Sequence, residues 1–324
     1  MTSSIVYGPV PSRRLGRSLG INNIPPKKCS YSCVYCQLGN TSDMRIERDF
    51  YYAPEDIERL TREKVGAASE KGEKIDYIAF VADGEPTLDI NLGREIETVR
   101  TAGIKTAVIS NASLIWHEHV RRDLQKADLV SVKVDSVTRE TWTRINRPHK
   151  ALRLDAILEG LVSFARTFKG TLITETMLVR GINDYPKEIE KTAIFLGRLK
   201  PARCYVAVPT RPPAERIEPA SEQTVNTAYQ LFKKRLSNVE CLTGYEGNHF
   251  TATGNIVDDL LSITAVHPMR EDALARLLRK TGAEREIIPD LIDKGSLVEL
   301  KYRGKKFYMR KLPGRRASAK APDR

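Results

Sequence analysis

No stretch of the sequence approaches the roughly 18 consecutive apolar residues that a membrane-spanning helix requires, which excludes a helical membrane protein. The first thirty residues, MTSSIVYGPVPSRRLGRSLGINNIPPKKCS, lack the unbroken apolar stretch of a secretory signal, so a cytoplasmic location is expected. Cysteine is scarce and odd in number: of five, Cys29, Cys33 and Cys36 fall within eight residues, while Cys204 and Cys241 stand far off and alone. In a reducing compartment that distribution speaks for metal ligation and against a disulfide framework. Histidine is equally thin, and His117, His119, His149, His249 and His267 form no metal-like spacing. Acidic residues are outnumbered 53 to 41, a net charge of +12, and residues 262–324 carry 16 basic against 8 acidic side chains, hence +8 of that excess. A basic appendage implies a polyanionic partner, most simply nucleic acid.

Short β-rich runs at 19–24, 75–81, 105–110, 129–134, 172–178 and 205–208 alternate with helix-periodic stretches at 54–68, 92–102, 118–126, 154–168 and 186–199. The pattern predicts an α/β protein, a partial (β/α)6 TIM-like barrel whose loops at the C-terminal strand ends form one face. A Pro-rich break at 209–219 precedes a helix near 221–237 and a Gly-punctuated segment, 243–255, without an assigned role. Farther on, helices at 269–281 and 284–294 and the hairpin pattern VELKYRGKKFYMRKL, turning at Arg303 and Gly304, read as a winged helix-turn-helix. The expected division is a barrel over 1–258, a winged-helix domain over 259–313 and a disordered basic tail over 314–324.

Three thiols spaced C-x3-C-x2-C in Cys29-Ser-Tyr-Ser-Cys33-Val-Tyr-Cys36 follow the first expected strand. Three thiolates from one loop take three corners of an iron–sulfur cubane and leave the fourth iron open for reaction. Structural zinc wants four ligands, and no fourth Cys or nearby His supplies one. After the second expected strand comes Asp83-Gly84-Glu85-Pro86-Thr87-Leu88, a glycine turn with a carboxylate at a strand end, able to pair with an ammonium group.

With these two motifs the chain resembles the radical S-adenosylmethionine (SAM) superfamily over about residues 5–255. The resemblance implies that Cys29, Cys33 and Cys36 hold a [4Fe-4S] cluster with Tyr35 as the aromatic beside the third cysteine, and that Gly84 and Glu85 hold the SAM amino group. It further implies SAM contacts from Ser110, Asn111, Lys133, Asp135 and Val208, with Lys133 and Arg13 as candidates for the chemistry, and Arg14 and Arg17 beside Arg13. YGPVPSRR, DGEPTL, RINRPH and RGIND are similar to the group containing the archaeal wyosine-forming (4-demethylwyosine) tRNA synthases. No cysteine precedes Cys29, which marks a single-cluster branch. The implied activity is reductive SAM cleavage to a 5′-deoxyadenosyl radical, with ferredoxin or flavodoxin as electron donor and tRNA or other nucleic acid bound through residues 262–324. A peptide or small-molecule substrate, with the winged helix as docking module, is one alternative, and a cluster-bearing DNA-binding regulator is another.

Overall fold

The computed structural model describes residues 5–244, 255–266 and 268–311. Its centre is an eight-stranded sheet in the order β1-β2-β5-β6-β7-β8-β9-β10. The strands are β1 (Val6–Ser12), β2 (Gly16–Ile21), β5 (Tyr77–Phe80), β6 (Thr106–Ser110), β7 (Leu129–Lys133), β8 (Thr171–Met177), β9 (Arg203–Ala207) and β10 (Val239–Leu242), with β3 (Lys28–Cys29) and β4 (Asp43–Met44) forming a separate two-residue ladder. Only β1 runs antiparallel, against β2; every other neighbouring pair in this sheet is parallel. The fold is therefore α/β with a mostly parallel central sheet, and among the described residues β1 and β10 form its two edges. All six expected strands are present in the expected order. Among the described residues the count of parallel strands is nevertheless seven, because β10 is a four-residue strand, VECL, whose charged residue and brevity hide it. The edge strand β1, VYGPVPS, also escaped, since two prolines argue against a strand except at an edge.

The crossovers are helical. α1 (Pro54–Glu70) and α6 (Pro186–Leu199) each open on a proline, whose fixed φ suits the first turn, followed by acidic residues that favour the helix N-terminus. α2 (Leu92–Arg100), α3 (Glu118–Leu124), α5 (Leu154–Thr167) and α7 (Glu222–Lys233) match the periodic stretches, while α4 (Arg139–Asn146) was not anticipated. Among the described residues no helix is long and apolar enough to cross a membrane.

Alternation along the strands sorts side chains onto two faces. Ile78, Phe80, Val108, Val130, Val132, Cys204 and Val206 join the large core shared with the helices. The opposite face carries Ala79, Ala107, Leu129, Ile173, Tyr205 and Ala207, together with Leu15 from the β1–β2 turn, which lays its side chain against the sheet. Cys204 thus packs in the core, as a small hydrophobe does.

Beyond the sheet lie α8 (Ile256–Val266), α9 (Glu271–Thr281), α10 (Ile287–Asp293) and an antiparallel sheet β11-β13-β12, with β11 (Met269–Arg270), β12 (Leu297–Tyr302) and β13 (Lys305–Arg310). The β12–β13 turn falls at Arg303 and Gly304 as read from sequence, both at positive φ (47° and 68°), the geometry of a two-residue hairpin. The core of this unit, with Leu274, Leu277, Leu278, Ile288, Leu291 and Leu297, also takes in Tyr7 and Val10 of β1. Part of the Gly-punctuated segment (245–254), His267 and the tail expected to be disordered (314–324) lie outside the described residues.

Leu15 is 2% exposed and fills the space over the alanines of β5, β6 and β9. Leu15→Ala should lower the unfolding free energy by about 2–5 kcal/mol, checked by chemical denaturation.

Candidate active site

The cysteine loop leaves β3 at Cys29 and has little regular structure, so its backbone groups need partners. They come from the C-terminal end of α4 and the residues after it. Val34 N–H donates to the Ile145 carbonyl (3.0 Å), Ser32 N–H to the Asn146 carbonyl (3.0 Å), and His149 N–H to the Ser30 carbonyl (2.9 Å). The RINRPH segment is thus a backbone strut for the cysteine loop. Arg147, left-handed at φ 44°, ends the helix and turns the chain into that pairing. Trp142 supports it from beneath, its Nε1–H donating to the Tyr31 hydroxyl (3.1 Å) with the rings edge to face. On the other side Lys27, 6% exposed, donates its ammonium to the Leu38 carbonyl (2.9 Å).

The second motif is stitched to the first. Lys27 N–H donates to the Asp83 carbonyl (2.8 Å) and Glu85 N–H to the Lys28 carbonyl (3.2 Å). A side chain at Gly84 would collide with that Lys28 carbonyl, so only glycine lets the two loops approach this closely. Glu85, 1% exposed, accepts on Oε1 from the Ser110 hydroxyl (2.6 Å) and from Thr87 N–H (3.1 Å) and Oγ1–H (2.6 Å), and on Oε2 from Asn111 N–H (2.7 Å). Burial raises its pKa, and these donors pull it partly back. The Asn111 side chain then turns to the cysteines, with Nδ2 3.1 Å from Ser30 Oγ and 3.5 Å from Cys29 Sγ. Three successive strand-end loops therefore meet through one residue.

A third group sits at the ends of β7 and β8. Lys133 donates to Glu175 Oε1 (2.8 Å), lies 3.9 Å from Asp135 and stands over the Tyr35 ring at 4.8 Å. Glu175 is also paired with Arg14, and the Tyr35 hydroxyl donates to Asp135 Oδ2. Asp135 accepts further from Asn146 Nδ2 (2.7 Å) and Met177 N–H (2.9 Å). Burial works to lower the Lys133 pKa, but Glu175 and Asp135 outweigh it, so the ammonium stays charged. Burial, reinforced by Asp135, pushes the Cys33 thiol up to about 12, and burial with Glu85 raises Cys29 as well. Metal binding at these cysteines would have to displace their protons.

The structure gathers most of the residues singled out from sequence. Cys29, Cys33, Cys36, Tyr35, Gly84, Glu85, Ser110, Asn111, Lys133 and Asp135 lie on the last residues of strands or on the loops that follow them, at one end of the sheet. Val208 is buried in the helix-side core, and Arg13 sits part-buried in the β1–β2 turn. Arg17 is turned elsewhere, paired with Glu73. Sequence reasoning missed Glu175 and Asn146. A lone acid inside the strand TLITETM was a usable signal for the first, and the position of Asn146 within RINRPH for the second. Among the described residues no three His, Cys, Asp or Glu side chains converge on a single metal ion. Three thiols on one loop, two of them facing amide N–H groups of Asn111 and Asn146, fit the kind of donor set that a thiolate-held cluster takes.

The sequence profile of the radical SAM superfamily matches residues 23–196. A UPF0026 protein of Methanocaldococcus jannaschii is 48% identical over 322 residues, covering 98% of this chain and 100% of that protein. Among solved structures, TYW1 with a lysine–pyruvate adduct bound superposes at a TM-score of 0.52 with 18% identity, covering 68% of this chain and 74% of that one. A radical SAM methyltransferase from Sphaerobacter thermophilus does so at 0.52 with 14% identity, covering 70% and 66%. At these identities the two structures attest a shared fold.

Asp83 yields a pH prediction. It is 1% exposed, accepts from Asn22 Nδ2 (2.9 Å), and burial raises its pKa to about 6, with the Asn22 amide holding it back. A carboxyl with a raised folded-state pKa contributes stability below its unfolded value, near 4, and loses it as pH rises through about 6. Asp83→Asn should therefore flatten the fall in unfolding free energy between about pH 4 and 6, by on the order of 3 kcal/mol, measured by denaturation across that range.

Proposed function

This chain belongs to the radical SAM superfamily, and on that premise we propose that it is a radical SAM enzyme in which Cys29, Cys33 and Cys36 hold a [4Fe-4S] cluster beside a SAM site built around Glu85, Ser110 and Asn111. The observation that carries this reading is the joint made by Asn111, whose backbone N–H holds Glu85 and whose side chain reaches Cys29 Sγ. When bound, the cluster and SAM supply one-electron reductive cleavage to methionine and a hydrogen-abstracting 5′-deoxyadenosyl radical, the electron arriving from a reduced ferredoxin or flavodoxin.

The protein's own part is to place and shield. Of the four hydrogen bonds that Glu85 accepts, three fall on Oε1 and one on Oε2, so Oε2 keeps room for a further donor such as the SAM ammonium. Lys133, held charged by two carboxylates, acts as a fixed cation for a SAM or substrate carboxylate. That environment opposes its use as an amine nucleophile, which needs a depressed pKa. Tyr35 and Asn146 close the space between the cysteine loop and β7, limiting water at the site.

For the substrate we infer a tRNA base, approached by residues 259–313 as a winged helix whose contact is made by its hairpin. Lys301, Arg303, Lys305, Lys306, Arg310 and Lys311 concentrate on or beside β12 and β13. The helix that would enter a groove is a poor match, because α10 and its flanks carry Glu284, Glu286, Asp290 and Asp293 against Arg285 and Lys294. The same observation favours a second reading, a peptide or protein substrate docked on this unit, where α9, α10 and the hairpin frame a groove of about 380 Å³ floored by Leu274, Leu278, Ile288 and Tyr308.

Anaerobic reconstitution should give about four irons and four sulfides per chain, and the reduced protein should cleave SAM to 5′-deoxyadenosine. Replacing any one of Cys29, Cys33 or Cys36 by Ala should abolish iron uptake, whereas Glu85→Ala should keep the iron and weaken SAM binding about tenfold to a hundredfold by equilibrium dialysis. Stoichiometric zinc without iron would overturn the assignment.

Binding of tRNA should weaken steeply as salt rises, and the combined change of Lys301, Arg303 and Lys305 to Glu should abolish it while leaving SAM cleavage intact. A chain with no salt-sensitive tRNA affinity at low ionic strength returns the peptide reading to first place.

A further inference from the structure

Of the RINRPH segment, the chemistry proposed above uses chiefly the backbone, and the asparagine side chain has further work. Asn146 is 3% exposed at the C-terminal end of α4, and its carbonyl already accepts the Ser32 N–H of the strut. The side chain is thus not needed for that pairing. Its Nδ2 lies 2.7 Å from Asp135 Oδ2, 3.4 Å from Cys33 Sγ and 3.4 Å from the Tyr35 hydroxyl oxygen. A primary amide has two N–H donors. One goes to Asp135, and the other faces Cys33 and Tyr35. A carboxylate and a ligating sulfur are both acceptors, which fixes the amino end and not the carbonyl toward them. Asn111 repeats the arrangement at the first cysteine, with Nδ2 3.5 Å from Cys29 Sγ and its Oδ1 held by Ser113 N–H (2.8 Å).

Resting on the radical SAM reading, we propose that Asn146 and Asn111 set the reduction potential of the cluster by donating amide N–H bonds to the sulfurs of Cys33 and Cys29. Such a bond stabilises the state with more negative charge on sulfur, the reduced one, and so raises the potential. Asp135, the negative group facing Cys33, acts in the opposite sense. Asn146 lies between the two, so removing its amide deletes a donor and uncovers a negative charge, both lowering the potential. Asn111 stands beside Cys29 with Glu85 behind it, its backbone N–H already committed to that carboxylate. Its removal should give the same sign and a smaller effect.

The test is an anaerobic potentiometric titration of reconstituted full-length protein without SAM, reading the EPR signal of the reduced cluster. Asn146→Leu, matched in size and lacking a donor, should keep the iron content of the wild type. At a given poise it should show a three- to tenfold lower ratio of reduced to oxidised cluster, about 30–60 mV more negative for a one-electron couple. Asn111→Leu should shift less in the same direction. Full iron with unchanged midpoints in both variants overturns the proposal. Should Asn146→Leu fail to hold iron, the wild type decides. Protein carrying ¹⁵N only in asparagine should show weak ¹⁵N couplings from two side chains in pulsed EPR of the reduced cluster, and their absence overturns the proposal. A wild type that takes up no iron overturns the superfamily chemistry itself, a result distinct from a cluster that forms and senses neither asparagine.

Discussion

A loop that presents three thiols within eight residues satisfies only some of its own backbone polar groups, and the pairing of residues 30–34 with 145–149 is the constraint on which the site depends. Each buried N–H or carbonyl left without a partner costs about 1–3 kcal/mol, so an unsupported loop of this kind would rearrange. The strut removes that cost and fixes the loop to α4, which is anchored through Trp142 against Tyr31. Fixing the loop also fixes the approach of the turn around Gly84, since the Asp83 carbonyl and the Glu85 N–H bond to residues 27 and 28 at its base. The two motifs most visible in the sequence are in this sense held in place by a third, less conspicuous one.

Electrostatics on the same rim follow from burial. Arg14, Glu175, Lys133 and Asp135 are all largely withdrawn from water, with side-chain exposures of 17%, 8%, 17% and 1%. Such charges persist only when paired, since one partner left alone is strongly destabilising. The chain alternates their signs, two cations and two carboxylates, and adds the Tyr35 hydroxyl and the Asn146 amide to Asp135. Small residues beneath them, Ala79, Ala107 and Ala207, leave room for Leu15 and for Arg14 beside it on the β1–β2 turn. The N-terminal hairpin thereby becomes part of the site's foundation.

Much of this was legible in sequence because the signals were local. Six strands and five crossover helices follow from periodicity, and Cys29, Cys33, Cys36 and Glu85 from spacing. The misses have physical reasons. β1 pairs at an edge, where its prolines do no harm, and β10 is too short to show a period. Asn146 carries no spacing signature, since its significance lies in a contact with Cys33, 113 residues away in the chain. Val208, expected at a strand end, follows the alternation of the strand, its side chain lying with Val206 in the helix-side core.

The C-terminal unit is less of an appendage than its composition suggests. Its core takes in Tyr7 and Val10 of β1, the edge strand of the main sheet, and α8 packs against that strand as well. Tyr7 in turn donates its hydroxyl to the Val81 carbonyl (3.1 Å), beyond the end of β5. An exposed sheet edge invites pairing with foreign strands, and covering it is one way to prevent that. The cover also fixes a direction, because Tyr302, at the tip of the basic hairpin, donates to the Pro209 carbonyl (3.2 Å) in the loop that follows β9. That loop leaves the sheet at the end where the cysteines, Glu85 and Lys133 are gathered. On the proposed reading, a tRNA held by Arg303 and its neighbours would therefore lie beside the rim without any domain motion, and the hairpin, not the acidic α10, would be the element to deliver it.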